Sequence, residues 1–486
     1  MAKLYVIGIG GTGSRVLKSL TMLMAAGVKV EDGNNNPYEI VPVIIDPDHG
    51  AGDMTRTVNL IRNYANIYKE IDHNSNNKNN FFNTKINLDI IPDIHIHLEN
   101  TRDVDFKDYI GLSYMKDDNN SPNANYALVS ALFSKENLDS KMDYGFLGNP
   151  NIGSVVLNQF SLTKEWIDLT ASFGQDDRIF IISSIFGGTG ASGFPLLLKK
   201  IRSVDENLPG CNNIKNSIVG AITILPYFDL KPKEGGKIDS STFMSKTKSA
   251  LSYYERNMKE ANIIYYIGDK QTKQYENNEG GPEQKNGAHF IELAAALAIV
   301  DFARQEDLST QNGKPTYNYY KEFGIRDNVE QIIFKNLDDS TNSIIKKPLV
   351  SFTMFCKYMN ERITKSIDGQ PWSKDLKYDS NFIRSHFYDV LLKDIKDSYL
   401  EWLTEMSENN KAFTPFHLEE KQNDVFSLIK GESPAKVFSI DKNYNLFDNY
   451  LNKKKDKVNH DSSNKNMFME LFYMAINDLV KDKFRL

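Results

Sequence analysis

The chain predicts an α/β protein: a doubly wound, mostly parallel sheet, then a central helix, then a helix-rich C-terminal domain. Three observations carry this. Short Val- and Ile-rich segments, apolar on both faces, alternate with helical patterns through residue 305, as in a parallel sheet covered on both sides. Two of those segments run directly into glycine loops of nearly the same sequence, at residues 10–13 and 187–193. Beyond about residue 320 the strand signals give way to long helical stripes.

The strands are expected at 4–8, 40–45, 178–183, 217–225 and 263–267. Gly10-Gly11-Thr12-Gly13 opens the first helix, whose stripe is Val16, Leu17, Leu20, Leu23 and Met24, with Arg15, Lys18 and Ser19 between. Asparagine-rich runs at 73–80, 117–125 and 276–286 read as surface loops or insertions. Residues 288–305 form an alanine-rich helix apolar nearly all round, which places it in the interior between domains. Residues 344–363 and 382–406 are helical, with Pro348 bending or shortening the first. A polar linker at 452–466 precedes the final helix, 467–486. Its stripe of Phe468, Leu471, Phe472, Ala475, Ile476, Leu479 and Val480 is expected to pack inside the chain, with docking on a partner or a second subunit as the alternative. The division drawn from this is 1–287, 288–306 and 307–486.

The 486 residues are 40% apolar and 25% charged, ordinary values for a globular protein. A net charge of −6 gives no basic footprint for nucleic acid or an anionic membrane, and the basic run 453–457 reads as a solvated loop. Only two cysteines, Cys211 and Cys356, point to a reduced, cytoplasmic setting. The N-terminus opens on a strand and carries no signal-peptide pattern. No apolar run approaches the roughly 20 residues that span a bilayer.

A strand, a tight glycine turn and a helix N-terminus make an anion site, because bare N–H groups point outward and the helix dipole favours negative charge. Two such loops suggest a joint grip on one polyphosphate. The first, Gly8-x-Gly10-x-x-Gly13, fits a Rossmann dinucleotide fingerprint. It also fits the ATP loop of ubiquitin-activating-type adenylyltransferases, with Asp46 and Asp48 as the aspartates after the next strand. An adenylyltransferase or NAD-dependent enzyme is therefore one reading. Neither loop carries Gly-Lys-Ser/Thr, which argues against a P-loop NTPase.

The second loop, Phe186-Gly187-Gly188-Thr189-Gly190-Ala191-Ser192-Gly193, resembles the signature loop of the tubulin/FtsZ superfamily, Gly-Gly-Gly-Thr-Gly-Ser/Thr-Gly. Glycine there lets the backbone approach phosphate oxygens, and the Thr189 and Ser192 hydroxyls are expected to add donors. Other elements of that family follow in order. Gly148-Asn149-Pro150-Asn151-Ile152-Gly153 resembles its γ-phosphate loop, Asp46 matches the loop facing metal and phosphates, and Pro226 to Asp229 resembles the loop near the ribose. Asp269 after the fifth strand, and Asn286, His289 and Phe290 opening the central helix, match positions that read guanine.

The resemblance is nearest to divergent bacterial tubulin-like proteins and covers about residues 3–305. It implies GTP/GDP and Mg²⁺ as ligands and self-association into an oligomer or filament. It also implies slow GTP hydrolysis at the subunit junction, where an acidic loop of one subunit enters the next subunit's site. Glu306 and Asp307 come first after the central helix, but Asn336-Leu337-Asp338-Asp339 fits better, so Asp338 and Asp339 are the expected catalytic acids. The alternative is a module that binds nucleotide without turnover and recruits a protein partner through its C-terminal helices.

His95, His97 and Glu99 alternate along 93–98 and are types that suit zinc. They read as the solvent-facing side of an edge strand, so no metal site is expected there. Trp166, Trp372 and Trp402 read as packing residues.

Overall fold

The computed structural model describes residues 1–73, 77–116, 121–142, 145–146, 148–231, 240–271, 273–276, 280–323, 329–418, 425–435 and 443–486. Residues 74–76, 117–120 and 277–279 of the asparagine-rich runs lie outside the described residues.

Six strands form one sheet: β1 (Lys3–Ile9), β2 (Glu39–Ile45), β3 (Arg178–Ser184), β4 (Ile218–Ile224), β5 (Ile263–Ile267) and β6 (Tyr319–Glu322). All pairings are parallel and the spatial order is β6-β5-β4-β3-β1-β2. The first five stand where apolar runs predict them. Along β1, Leu4 and Val6 face one core while Tyr5, Ile7 and Ile9 face another, which is why these strands read as continuously apolar rather than alternating. β6 was not expected. Tyr319-Tyr320-Lys321-Glu322 is largely exposed at the sheet edge, where a strand pairs on one side only and needs no apolar signal.

The sheet order places a reversal between β1 and β3. From β1 the chain moves outward to β2, then returns to the other side of β1 and proceeds outward through β3, β4, β5 and β6. Ligands of open α/β sheets bind beyond the carboxyl ends of the strands at such a switch point. Leu4 lies opposite Arg178 and Gly8 opposite Ile182, so the loops leaving β1 and β3 are neighbours.

Among the described residues nine longer helices complete the frame: α1 (Gly10–Ala25), α2 (Gly52–Glu70), α3 (Gly188–Arg202), α4 (Phe243–Asn257), α5 (Phe290–Ala303), α6 (Asp339–Glu361), α7 (Lys393–Ser407), α8 (Asn443–Lys454) and α9 (Asn464–Phe484). One core runs from the sheet through α1 and α5 into the C-terminal helices, and the other lies between the opposite sheet face and α3. The apolar α5 is interior, as its composition predicts.

The intervening polar residues of α1 are also interior, contrary to a simple stripe reading. Arg15, Lys18 and Ser19 are all buried. Lys18 pairs with Glu405 at 3.3 Å, and Ser19 Oγ accepts the indole N–H of Trp402 at 3.2 Å. Buried polar groups persist when each has a partner, and here α7 supplies both.

Pro348 does not shorten the helix: α6 is continuous through it. Residues 349–359 are buried throughout, and this packing offsets the lost backbone hydrogen bond. The polar linker is shorter than expected, because α8 extends through Asn452 and α9 begins at Asn464, held by burial of Leu446, Phe447 and Leu451. The basic run 453–457 is not a solvated loop: it ends α8, where Lys454 pairs with Asp478 and Lys455 with Asp375. The stripe of α9 faces inward, with Phe472 packing on Phe355 at 5.4 Å and on Tyr358 at 5.3 Å between ring centroids. The three tryptophans are buried as packing residues. Among the described residues no helix is long and apolar enough to cross a membrane.

Residues 93–98 are not an edge strand. Ile94 has φ +62°, and a single bridge joins His95 to Ile44. His95 is buried while His97 and Glu99 are exposed, so the three do not make one solvent-facing side.

Candidate functional site

The two glycine loops meet at the switch point. A Cβ on Gly10 would lie 3.4 Å from Thr189 Cβ and 3.8 Å from the backbone nitrogen of Gly190. Gly10 itself has φ +73°, which favours glycine. Each loop is also the first turn of a helix, α1 and α3. Neither helix has a side-chain N-cap hydrogen bond or an acidic residue in its first turn. Most helices satisfy those orphan N–H groups with a Ser, Thr, Asp or Asn cap. Two uncapped N-termini converging on one open space leave their donors and dipoles to an outside anion.

That space is an open cleft. Gly10, Gly11, Thr12, Asp46, Gly148, Gly187, Gly188, Thr189, Gly190 and Asn286, all expected from sequence, line it. Phe186, Phe228 and Phe243 add an aromatic wall. Gly148 and Asn149 are seated against the second glycine loop, since a Cβ on Gly188 would meet the backbone nitrogens of Asn149 at 3.0 Å and Gly148 at 3.2 Å. Lys246 Nζ donates to Gly148 O at 2.9 Å, bringing a cation to the edge of that loop.

Two carboxylates stand on the β2 side. Asp46 is buried, and desolvation pushes its carboxyl up to about 7; the hydrogen bond from Asp48 N–H opposes this and the Asp48 charge adds to it. Asp48 accepts N–H groups from Gly50 at 3.0 Å and Gly281 at 2.7 Å. The latter bond pulls the 280–286 segment over the cleft, so this part of an asparagine-rich run is a wall of the site rather than a free surface loop.

Several expected residues are elsewhere. Gly13 packs on Gly8 behind the cleft, with a Cβ there only 2.6 Å from Gly8 C. The Ser192 hydroxyl is not a spare donor: it is buried and donates to Gly188 O at 2.7 Å. The Ala191 carbonyl accepts Tyr254 Oη–H at 3.2 Å. Pro226 is buried, and Asp229 lies between the lining residues Phe228 and Leu230 with its carboxylate taking the N–H of Leu230 at 2.9 Å. Asp269 lies 3.6 Å from Lys411 Nζ. Phe290 is in the core against Phe413, centroids 5.4 Å apart, and not on the cleft. His289 is not on the cleft: it caps α5, its Nδ1 accepting Ile291 N–H at 3.1 Å, and its ring is buried.

Asp338 and Asp339 are not brought to this cleft within one chain. Asp338 caps α6, accepting Thr341 N–H at 2.7 Å, and borders a different hollow with Tyr265, Asp301 and Lys321. Burial raises its carboxyl, but hydrogen bonds from Ser340 and Thr341 outweigh that and hold it below the ordinary range. Asp339, Glu306 and Asp307 are exposed.

Beneath the first loop lies a buried ionic knot that sequence reading missed. Arg15, which lines the cleft, is 4% exposed, Asp53 2% and Glu292 0%. Arg15 donates to Glu292 Oε1 at 2.6 Å, Asp53 Oδ2 at 3.0 Å, Tyr227 Oη at 2.9 Å and Thr12 Oγ1 at 3.3 Å. Burial opposes its charge, and Tyr227, Glu292 and Asp53 outweigh burial. Asp53 also accepts the N–H of Asn286 at 3.1 Å. The available signal was Glu292, an acid in the first turn of a helix apolar nearly all round, which needs a buried cation.

No protein-family model and no curated protein matches the chain. Among solved structures it is similar to a GTPγS-bound protofilament of CetZ2 from Haloferax volcanii, at 12% identity over 63% of this chain and 60% of that one, TM-score 0.29. It is similar to an empty FtsZ dimer from M. jannaschii, at 14% identity over 55% and 45%, TM-score 0.24. It is also similar to a GTPγS-form protofilament of TubZ from Bacillus thuringiensis serovar israelensis, at 13% identity over 83% and 82%, TM-score 0.29. The chain spans 60% of the length of the first of these and 45% of the second. All three are of tubulin/FtsZ type, and superpositions this shallow add nothing to the geometry above.

Proposed function

We propose that the chain is a tubulin/FtsZ-like GTP-binding protein that associates with copies of itself and hydrolyses GTP slowly where two subunits meet. The observation that carries this reading is the convergence of two uncapped, glycine-opened helix N-termini, Gly10–Gly13 and Gly187–Gly190, on one cleft. Their amides would hold the phosphates of GTP or GDP, with the 148–149 loop beside them. Phe228 and Phe243 would stack on the base and the amide of Asn286 would read its edge.

Asp46 fits a Mg²⁺ ion: a buried carboxyl pushed up to about 7 beside an expected triphosphate is stabilised by a divalent cation. Bound there, the ion would neutralise phosphate charge; the chain's own part is positioning through backbone amides. Asp338 and Asp339 would serve the site of an adjoining subunit, since neither lines the cleft of its own. The chain is read as one functional unit, with the nucleotide domain through residue 287, the central helix over 288–306 and the remainder helical.

The test is direct. Purified protein should bind GTP in preference to ATP, and turnover per subunit should rise with protein concentration. Turnover independent of concentration sinks the shared site. One observation favours the second reading, nucleotide binding without turnover: Asp338 is already engaged as the cap of α6. Tight GTP binding with no phosphate release at any concentration selects that reading. An adenylyltransferase or NAD enzyme using the first loop alone has no use for the second loop's place in the cleft.

A further inference from the structure

We propose that His49, His95 and His97 form a binding site for a transition-metal dication such as Zn²⁺, beside the nucleotide cleft and separate from any Mg²⁺ at Asp46. One nitrogen from each ring lies within 4.8 Å of the other two. The three rings cluster, His95 edge-on to the other two and His49 stacked with His97, with centroids 4.1 Å apart for His49 and His95, 5.4 Å for His49 and His97, and 5.3 Å for His95 and His97. Zn–N bonds of about 2.0–2.1 Å bring tetrahedral nitrogens to about 3.3 Å from one another. Closure by up to about 1.5 Å brings them to that spacing, and His49 is half-buried and His97 exposed, so both can turn.

The hydrogen bonds set the tautomers that ligation needs. His95 Nε2 lies 2.7 Å from the carbonyl oxygen of Asp46, which can only accept, so Nε2 carries the proton. The remaining nitrogen, Nδ1, is buried and has no hydrogen-bond partner. An orphaned lone pair on a ring that is 4% exposed is costly unless something is to occupy it. His97 Nδ1 lies 2.8 Å from Glu165 Oε1 and donates to it, leaving Nε2 free. A ligating histidine typically gives its second N–H to a backbone carbonyl or a carboxylate; both arrangements occur here. Burial pushes His95 down to about 3 and lowers His49, whose neighbours His97 and Arg102 act in the same direction. Both rings are thus neutral near pH 7, as metal ligands must be.

Three histidines leave one position of a tetrahedral ion open to water or another small ligand. The site lies on the loop after β2: His49 follows Asp48, and the carbonyl that holds His95 belongs to Asp46, both on the cleft. Glu99, the third residue of the sequence motif, does not take part; its N–H instead bonds Gln159. The proposal does not rest on GTP binding, and the experiment is run without nucleotide.

The metal-stripped full-length chain is titrated with Zn²⁺ in competition with a chromophoric chelator, and with Co²⁺ for its visible spectrum. Wild type should take up one tight equivalent and show the intense visible bands of tetrahedral cobalt. His97→Ala and His49→Ala, at solvent-reachable positions, should keep the circular dichroism of the wild type and lose that equivalent. Glu165→Gln should weaken Zn²⁺ by about 10- to 100-fold, while His460→Ala changes nothing. The proposal is overturned if wild type takes up no tight equivalent, or if His97→Ala and His49→Ala retain it.

Discussion

Arg15 and Glu292, 277 residues apart in the chain, are joined by a 2.6 Å hydrogen-bonded ion pair that solvent scarcely reaches. The pair ties the first glycine-loop helix to the central helix. Tyr227 closes the triangle by donating its hydroxyl to Glu292 Oε1 at 2.7 Å. Arg15 also lines the cleft, so the core and the phosphate-side loop are mechanically one object.

Removing both partners of this pair should cost less than the sum of removing each. Glu292→Met leaves a buried guanidinium short of an anion and should destabilise by about 3–5 kcal/mol. Arg15→Met together with Glu292→Met should lose clearly less than the sum of the two single changes. Urea denaturation of the four proteins measures this; additive losses contradict the picture.

Gly11 separates ligand approach from fold. A Cβ there would have only Arg15 Nη1 within reach, at 3.7 Å, and Ala is the better helix former by about 0.5–1 kcal/mol. Gly11→Ala should fold at least as stably as wild type yet bind GTP more than about tenfold weaker, because the methyl group occupies the cleft. At Gly190 a Cβ would be 2.5 Å from Ser184 O, so Gly190→Ala should lower the melting temperature as well. Thermal melts alongside nucleotide titration distinguish the two.

How much of this was legible beforehand follows from the physics of each part. Five strands and both glycine loops stand out because buried parallel strands are apolar on both faces, and because glycine turns leave a distinct spelling. Their convergence depends on β1 lying beside β3, which order along the chain does not state. β6 was illegible, since an exposed edge strand needs no apolar pattern. Arg15 looked solvent-facing because a stripe reading sends any charged residue outward, and its acidic partners come from two other helices. Ser192 and Phe290 were assigned by motif position, whereas local hydrogen bonding and core packing occupy them. His49 was absent from the histidine motif because the loop after β2 brings it in from a distance in sequence.

Asp338 allows capping to be separated from catalysis. Asp338→Ala removes the side chain that takes Thr341 N–H and should cost about 0.5–2 kcal/mol. Asp338→Asn retains a capping oxygen and should be nearly neutral for stability. If Asp338 serves a neighbouring subunit's site, Asp338→Asn should still abolish concentration-dependent GTP turnover. Unchanged turnover in that variant removes Asp338 from the chemistry.

Asp46 should give the nucleotide-free protein a distinctive pH dependence. Burial raises its carboxyl to about 7 in the folded chain, against about 3.9 unfolded. A raised acid stabilises while protonated, so its contribution is complete below the unfolded value and is lost as pH rises through about 7. Asp46→Asn should therefore gain stability relative to wild type between about pH 5 and pH 8, by about 2–3 kcal/mol. Denaturant curves at both pH values test this, and a constant difference contradicts it.

The decisive measurement is calorimetric titration of GTP into wild type, Gly11→Ala and Gly187→Ala, each from the opposite loop and each checked for an unchanged melt. One GTP per chain, weakened about tenfold or more by either substitution, is the expected result. Full affinity in either variant would mean that the two loops do not share a ligand.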